Sequence, residues 1–235
     1  FTSTAHKASL ALIEQLRHFA LINNGDTTDN ACISRWPVGS FKELGERQSV
    51  AGELEEATMR LQDYEQFDFV KYRTWNLGNH DARFETRLAE RAPEFEGVPG
   101  FTLKDHFPGW LPAWRTDFMD RNGDVEVLIQ HRFKGGMHAA QNNVLWAGTN
   151  VVTGHDHMLK AYTISNVKRL LWGIHAGTMA PIDSPLFTNY TEDKVVNWQE
   201  GFVILHFAED RLVGPELVHV ERDGRVFFRG EILRF

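Results

Sequence analysis

The rest of the chain is organised around the stretch Tyr72-Arg73-Thr74-Trp75-Asn76-Leu77-Gly78-Asn79-His80-Asp81. Its apolar and aromatic first part, residues 72–77, predicts a short strand that ends at Gly78. An amide, an imidazole and a carboxylate then follow one another along the chain. Loops that are fixed by a strand often carry functional side chains, so we expect a site on this loop.

Three further strand ends carry polar side chains of similar kinds. Gly25-Asp26 follows a short apolar run at residues 20–23, and His131 follows a predicted strand at 125–129. Gly154-His155-Asp156-His157 follows the predicted strand 151–153. Carboxylate, amide and imidazole groups together suit Mn, Fe, Zn or Ni, so these strand ends predict a transition-metal site.

Composition narrows the classes of protein to which the chain can belong. The 235 residues carry a net charge of -7 and have no basic stretch of the kind that follows a nucleic-acid backbone. This argues against tight non-specific DNA binding, but not against a nucleic-acid substrate held by metal ions. No apolar run has the length of a membrane span. Cys32 is the one cysteine in the sequence, which excludes an intrachain disulfide and favours a reducing compartment. We therefore expect a cytoplasmic protein without a membrane segment, although the sequence starts at Phe1 rather than Met.

Hydrophobic periodicity predicts an α/β fold with an antiparallel C-terminal half. We expect helices at residues 7–19, 53–66, 83–90 and 138–146. We expect later strands at 161–165, 169–174, 201–207, 212–220 and 226–233, with a hairpin turn at Asp223-Gly224. Residues 31–50 are expected to form a loop.

Residues 92–124 are expected to be an irregular insertion or lid in a single domain that covers residues 1–235. This stretch contains four prolines and several aromatic residues, and long connections of this kind are often functional. Trp110 and Trp114 fit a lid or a base-stacking surface, but such residues more often cap a small secondary core.

The order of the polar motifs resembles that of the calcineurin-like metallophosphoesterase family. Gly25-Asp26-x-x-Asp29-Asn30, Gly78-Asn79-His80-Asp81, the isolated His131 and Gly154-His155-x-His157 follow one another as they do in that family, over residues from about 5 to about 180. The resemblance implies two packed mixed β-sheets flanked by helices, with the site at the ends of the central strands.

The resemblance also implies two divalent metal ions, of which Mn is the first expectation and Fe, Zn or Ni are alternatives. Asp26 is expected to bridge both ions, and His157 to bind the first. Asn79, His131 and His155 are expected to bind the second. Two cations about 3.5–4 Å apart can activate a hydroxide that attacks phosphorus in line.

His80 and Asp81 are the expected catalytic pair. His80 would protonate the leaving oxygen or stabilise the transition state, and Asp81 would orient either His80 or the turn. Arg83 and His138 are expected to contact the substrate, although each also fits an ordinary surface residue. His175 follows a predicted strand and fits either a site residue or a structural histidine.

One motif of the family is missing from the printed sequence. The family carries an Asp-x-His motif on its first strand, and no matching residues precede the helix that starts near His6. We expect the printed sequence to begin downstream of that strand.

The sequence therefore predicts a metal-dependent phosphoester hydrolase, either a phosphatase or a phosphodiesterase. A nuclease that acts on DNA or RNA with the same site is one alternative. A non-catalytic interaction protein that has lost one metal ion is another. The expected partner is a phosphoester substrate, including a nucleotide or a nucleic acid; substrate identity, metal identity and oligomeric state stay open.

Overall fold

The structure is a computed structural model that describes residues 3–35, 45, 47–183 and 196–235. The chain divides into two compact units. The small unit is Leu16–Trp114, and the large unit combines Phe1–Gln15 with Arg115–Phe235. Each unit contains predicted site residues. That the two units form one domain stays a prediction.

Helices and strands are mixed along residues 4–153, and only strands follow among the described residues after that, in an α/β fold as the sequence predicts. The helices are α1 (Thr4–Leu16), α2 (Val50–Glu65), α3 (Arg83–Arg91), α4 (Leu103–His106) and α5 (Ala139–Ala147), with short 3-10 turns at Ala31–Ile33 and Pro93–Phe95. The strands are β1 (Ala20–Asn23), β2 (Tyr72–Asn76), β3 (Leu111–Ala113), β4 (Thr116–Met119), β5 (Val125–Ile129), β6 (Asn150–Thr153), β7 (Leu159–Ser165), β8 (Leu170–Ala176), β9 (Gly201–Ala208), β10 (Arg211–Val220), β11 (Arg225–Phe228) and β12 (Glu231–Arg234). Among the described residues, no helix combines the length and the apolar character needed to cross a lipid bilayer.

The first two helices begin three residues earlier than the hydrophobic pattern predicts. Serine side chains explain both starts. The Ser3 hydroxyl accepts the N–H of His6 at 3.1 Å, and the Ser49 hydroxyl accepts the N–H of Gly52 at 3.1 Å. Such caps satisfy amide groups that have no partner within the helix, so the helix extends to them before its apolar face begins.

The sheet of the small unit consists of three parallel strands in the order β1-β2-β3. Neighbouring parallel strands end at the same edge of a sheet, which is where ligands bind in open α/β folds. The loops after Asn23 and Asn76 therefore emerge side by side. This places the Gly25-Asp26 motif next to the Gly78-Asn79-His80-Asp81 motif.

Residues 92–124 are less irregular than predicted, because they contain α4, β3 and β4. Their aromatic residues also contribute to the core of the small unit, where Phe107 packs edge-on against Trp75 at 4.7 Å between ring centroids. The buried cluster consists of Leu54, Ala57, Leu61, Trp75, Phe84, Leu103, Phe107 and Trp110. Trp110 is thus a core residue rather than a stacking surface; a lid function for the stretch stays a prediction.

The large unit contains a five-stranded mixed sheet in the order β4-β5-β6-β8-β7. Its three central strands, β5, β6 and β8, are parallel, and the outer strands pair antiparallel to them. Helix α5 connects β5 to β6 and packs on the sheet. The parallel arrangement brings the ends of β5 and β6, and so His131 and His155, to one edge.

A buried polar network fixes the opposite end of these strands. The Asn150 side chain donates to the Glu126 carboxylate at 2.9 Å and accepts the N–H of Trp172 at 2.8 Å. Arg169 and Arg211 form ion pairs with the same carboxylate. Since a buried charge is tolerated only when it is paired and hydrogen-bonded, this network holds β5, β6 and β8 in one register.

The C-terminal strands form an antiparallel sheet in the order β12-β11-β10-β9, as predicted. The hairpin at Asp223-Gly224 is confirmed. The single strand predicted for residues 226–233 is wrong, since Arg229 and Gly230 form a turn between β11 and β12. Both residues have positive φ values, of 50° and 80°, which is the backbone of a two-residue hairpin turn. Residues 36–44 and 46 of the predicted loop lie outside the described residues.

Candidate metal and catalytic site

The loops after β1 and β2 are joined by a direct hydrogen bond. The backbone N–H of His80 donates to the Asp26 carboxylate at 2.9 Å. Asp26 has a φ of 53°, a left-handed conformation that is uncommon for a residue with a side chain. Non-glycine residues in this conformation cluster at functional sites, where the surrounding structure holds them. The two loops together therefore fix the direction of the Asp26 carboxylate.

Gly78 is required by the close approach of these loops. A Cβ atom at this position would lie 2.0 Å from the Asp26 carboxylate oxygen and 2.4 Å from the Asp26 backbone nitrogen. Any other residue would push the two loops apart. The glycine that the sequence places before Asn79 and His80 is thus a packing requirement of the site.

The Asp81 side chain connects the two loops by hydrogen bonds. Its side chain is fully buried and accepts five hydrogen bonds. One oxygen accepts from the backbone and hydroxyl of Thr28 at 2.9 and 3.1 Å. The other accepts from the N–H groups of Asp26 and Gly78, both at 2.8 Å, and from the Trp75 indole at 3.1 Å. Burial raises the pKa of Asp81, and the N–H donors of Thr28 and Gly78 oppose that shift.

The partner of the His80 ring is Asp29 rather than Asp81. The Asp29 carboxylate accepts a hydrogen bond from Nδ1 of the His80 ring. Of the two roles expected for Asp81, the structure supports orientation of the turn. Asp29, which orients the imidazole, belongs to the sequence motif Gly25-Asp26-x-x-Asp29. Its pairing with His80 was not predictable from the sequence, because the two residues lie 51 positions apart.

Arg83 completes a polar cluster with Asp29 and His80. Its guanidinium donates to the Asp29 carbonyl at 2.8 Å and to the Asp29 carboxylate at 3.2 Å. The second guanidinium nitrogen lies 3.2 Å from His80 Nε2. Burial opposes ionisation of Asp29, but the hydrogen bond with His80 and the positive charges of His80 and Arg83 prevail and lower its pKa.

Asn79 carries the clearest sign of an additional ligand in the small unit. Its side-chain oxygen is buried and has no hydrogen-bond partner among the described residues. Buried polar atoms are nearly always satisfied, so an unsatisfied one indicates a water or an ion that completes the site. An amide oxygen is a suitable ligand for a divalent cation.

His131 and His155 form a close pair at the ends of the adjacent parallel strands β5 and β6. Their facing ring nitrogens, His155 Nδ1 and His131 Nε2, lie 3.3 Å apart. Metal–nitrogen distances of about 2.0–2.1 Å place two tetrahedral ligand nitrogens about 3.4 Å apart. The observed separation therefore fits two imidazoles that bind one metal ion.

His157 lies in a tight turn two residues after His155. It has a φ of 54°, and its backbone N–H donates to the Gly154 carbonyl at 3.1 Å. Its ring packs edge-on against Trp198 at 4.7 Å between centroids. The Trp198 ring fixes the orientation of the His157 ring. This contact was not predictable from the sequence, because the two residues lie far apart along the chain.

Asp156 connects the histidine turn to its surroundings in the large unit. Its carboxylate accepts the backbone N–H of Gly136 at 3.3 Å. On its other side it lies 3.8 Å from Nδ1 of the fully buried His175. His175 has no hydrogen-bond partner for either ring nitrogen among the described residues. Burial lowers its pKa to about 4 despite the nearby Asp156 carboxylate, and the Lys160 charge adds to the shift.

The low pKa of His175 predicts a loss of stability in mild acid. Protonation favours the unfolded chain, where the pKa of histidine is about 6.5. The stabilisation is therefore complete above pH 6.5 and lost as the pH falls towards 4, by about 3 kcal/mol in total. Urea unfolding between these pH values should show a shallower pH dependence in His175→Leu than in the wild type. His219→Gln, which alters a partly exposed imidazole beside Glu221, serves as the control; equal slopes for His175→Leu and the wild type would contradict the assignment.

The remaining predicted contact residues occupy different environments. Arg83 belongs to the Asp29 cluster. His138 is exposed at the start of α5, beside the loop that follows His131. Trp114 is 67% exposed, in contrast to the buried Trp110. Substrate contact by Arg83 or His138 stays a prediction.

Comparison of the chain with protein-family models and with curated protein sequences finds no match.

Proposed function

We propose that this chain is a metal-dependent hydrolase of phosphoesters, a phosphatase or phosphodiesterase that uses two divalent transition-metal ions. The observation that carries the proposal is the His131–His155 pair, whose facing nitrogens are 3.3 Å apart at the ends of parallel strands. Imidazole nitrogens at this separation are suitable ligands for one metal ion. The family resemblance supplies the reaction class. The fold of that family, a sandwich of two packed β-sheets, is part of the proposal.

The residues proposed to hold the metal ions have the chemistry that such ions require. They are Asp26, Asn79, His131, His155 and His157. The unsatisfied side-chain oxygen of Asn79 and the close imidazole pair support this set. Mn is proposed first, with Fe, Zn or Ni as alternatives, because mixed oxygen and nitrogen ligands accept all four. Bound metal ions would supply Lewis acidity that activates water and offsets the charge on the phosphoryl group.

His80 is proposed to transfer a proton to the leaving oxygen of the substrate. Its Nδ1 is engaged by Asp29, and its Nε2 accepts from Arg83 in this structure, so Nε2 becomes the proton-transferring atom once a substrate phosphate engages the Arg83 guanidinium. Arg83 lies 3.2 Å from Nε2 and places a positive charge where a substrate phosphate oxygen would bind. Histidine is suited to this role because its proton is exchanged near neutral pH.

The cellular setting is proposed from chemistry rather than from any segment of the chain. Cys32 is an exposed free thiol, and exposed thiols persist where the environment is reducing. We therefore propose a reducing compartment such as the cytoplasm, with a phosphoester as the partner.

Metal content tests the proposal. Protein expressed from the complete gene should retain about two equivalents of transition metal per chain after mild dialysis. His131→Ala and His155→Ala should each lower the metal content, because each removes one imidazole of the pair. His138→Ala changes an exposed histidine nearby and should retain the metal. A wild-type protein that binds no metal even after addition of Mn would contradict the proposal and favour the non-catalytic interaction protein.

A further inference from the structure

The segment between Glu126 and Asp156 contains no acidic residue, although the whole chain has 32 of them and a net charge of -7. It does contain Arg132 and Lys134. The segment includes β5, α5 and β6, and thus both histidines of the close pair. The side chains of this segment therefore carry a net positive charge beside the proposed metal ligands, and the bordering Asp156 carboxylate is engaged by the Gly136 N–H; this suits an anionic ligand.

Aromatic and flexible apolar side chains are exposed on this same segment. Trp146 on α5 is 71% exposed, Met137 is 72% exposed, and Phe133 is 40% exposed. The ammonium of Lys134 lies over the Trp146 ring, 3.5 Å from its centroid. We call Arg132, Phe133, Lys134, Met137 and Trp146 the loop–helix surface.

The loop of this surface is fixed in place. The buried side chain of Asn143 accepts the Lys134 N–H at 2.9 Å and donates to the Lys134 carbonyl at 3.2 Å. Lys160 donates to the Met137 carbonyl. The loop therefore presents Phe133 and Lys134 from an ordered backbone, which lowers the entropy lost on binding.

The loop–helix surface is also adjacent to the proposed metal ligands. Arg132 directly follows His131, and Lys134 is three residues after His131, so the Lys134 Cα lies within about 11 Å of the His131 Cα. The hydrogen bond from Gly136 to Asp156 ties the loop to the turn that carries His155 and His157. A ligand on this surface thus lies next to the imidazole pair.

We propose that the loop–helix surface binds single-stranded nucleic acid, with bases stacked on Trp146 and Phe133 and phosphates bound by Arg132 and Lys134. Stacking platforms beside cations are the general means by which proteins bind single strands without sequence preference. A purely apolar protein partner would not use the cations, and the absence of carboxylates in the segment would serve no purpose for it. The proposal deepens the proposed function by naming a nucleic-acid phosphodiester as its substrate class, and it rests on that function only for the cleavage step.

Binding is measured separately from catalysis. The probe is a fluorescein-labelled deoxythymidine strand of about 12 nucleotides, with a chelator present so that hydrolysis cannot occur. Fluorescence anisotropy gives the Kd between roughly 50 and 200 mM salt. A protein that binds the strand but never cleaves it with metal would contradict the proposed function while supporting the surface. Cleavage of small phosphodiesters by a protein that does not bind the strand would support the proposed function and contradict the proposed surface.

Two substitutions separate stacking from charge. Trp146→Ala should raise the Kd roughly tenfold or more, because one stacked base is lost. Lys134→Ala should raise the Kd and lower the slope of log Kd against log salt by about 0.7, because one phosphate contact is lost. Phe227→Ala and Lys168→Ala are the matched controls, since both alter exposed residues on other strands and turns of the large unit and should leave the Kd unchanged.

Two competitors define what would overturn the proposal. An abasic strand of the same length has the phosphates without the bases and should bind several-fold more weakly. Equal binding of the abasic strand or of polyglutamate would show that the surface recognises charge alone. Equal Kd values for the wild type and both variants, each with unchanged circular dichroism, would show that the strand binds elsewhere.

Discussion

Replacement of His80 by alanine is expected to lower the turnover of a small phosphodiester by roughly two to four orders of magnitude, the usual contribution of a positioned acid or base. The structure explains why this imidazole is positioned. Asp29 engages its Nδ1, and Arg83 lies beside its Nε2. An alanine removes the proton donor while the cluster around it stays folded.

The His80→Ala variant should retain its metal. The bond from residue 80 to Asp26 comes from the backbone N–H, and Asn30 donates to the carbonyl of residue 80 at 3.3 Å. Both hydrogen bonds are retained after the substitution, so turnover should fall while the metal content stays unchanged. His219→Ala, which alters a partly exposed histidine of the large unit, should turn over at the wild-type rate. An unchanged rate in His80→Ala would remove this residue from the mechanism.

Replacement of Asp81 by asparagine is expected to destabilise the protein by about 3 kcal/mol, and by alanine somewhat more. Both carboxylate oxygens accept hydrogen bonds, two at one oxygen and three at the other. If the NH₂ group of the asparagine replaces one oxygen, it faces the three N–H donors; if it replaces the other, it faces the Thr28 N–H, although the Thr28 hydroxyl can turn to accept from it. These donors are buried and lose their acceptor without gaining water, and the loops of Asp26 and Gly78 lose their common support.

Asp105→Asn is the matched control for Asp81→Asn. Asp105 also accepts several bonds, from Gly100 and from the backbone and hydroxyl of Thr102, but at an exposed site. Water can replace an acceptor there, so its substitution should change the urea midpoint little. Unfolding by urea, followed by tryptophan fluorescence, compares the two. A loss for Asp81→Asn no larger than that for Asp105→Asn would show that Asp81 does not organise the loops.

Strand ends were the most predictable part of the fold. Residues 20–23 were predicted as a strand and form β1, and 125–129 form β5, because short β-rich runs that end in a polar turn leave little alternative. Residues 92–124 were not predictable in the same way. Leu103, Phe107 and Trp110 enter the core from a proline-rich stretch without regular periodicity, although Thr102 and Asp105 form a capping box that marks α4.

The candidate site divides along similar lines. The placement of Asp26 beside Asn79, and separately of His131 beside His155, was predictable because each residue follows a strand and neighbouring parallel strands of one sheet end at the same edge. The supporting contacts were not predictable, since they join separated positions. The pairing of Asp29 with His80 spans 51 residues, and that of His157 with Trp198 joins the histidine turn to a distant segment.

The most direct test of the central claim is hydrolysis of a small phosphodiester by the purified protein expressed from the complete gene, before and after chelation. The account predicts multiple turnover, loss of activity with the metal and its return on addition of Mn. Turnover that persists in the metal-free protein, or no turnover in a protein that retains about two metal ions per chain, would contradict it.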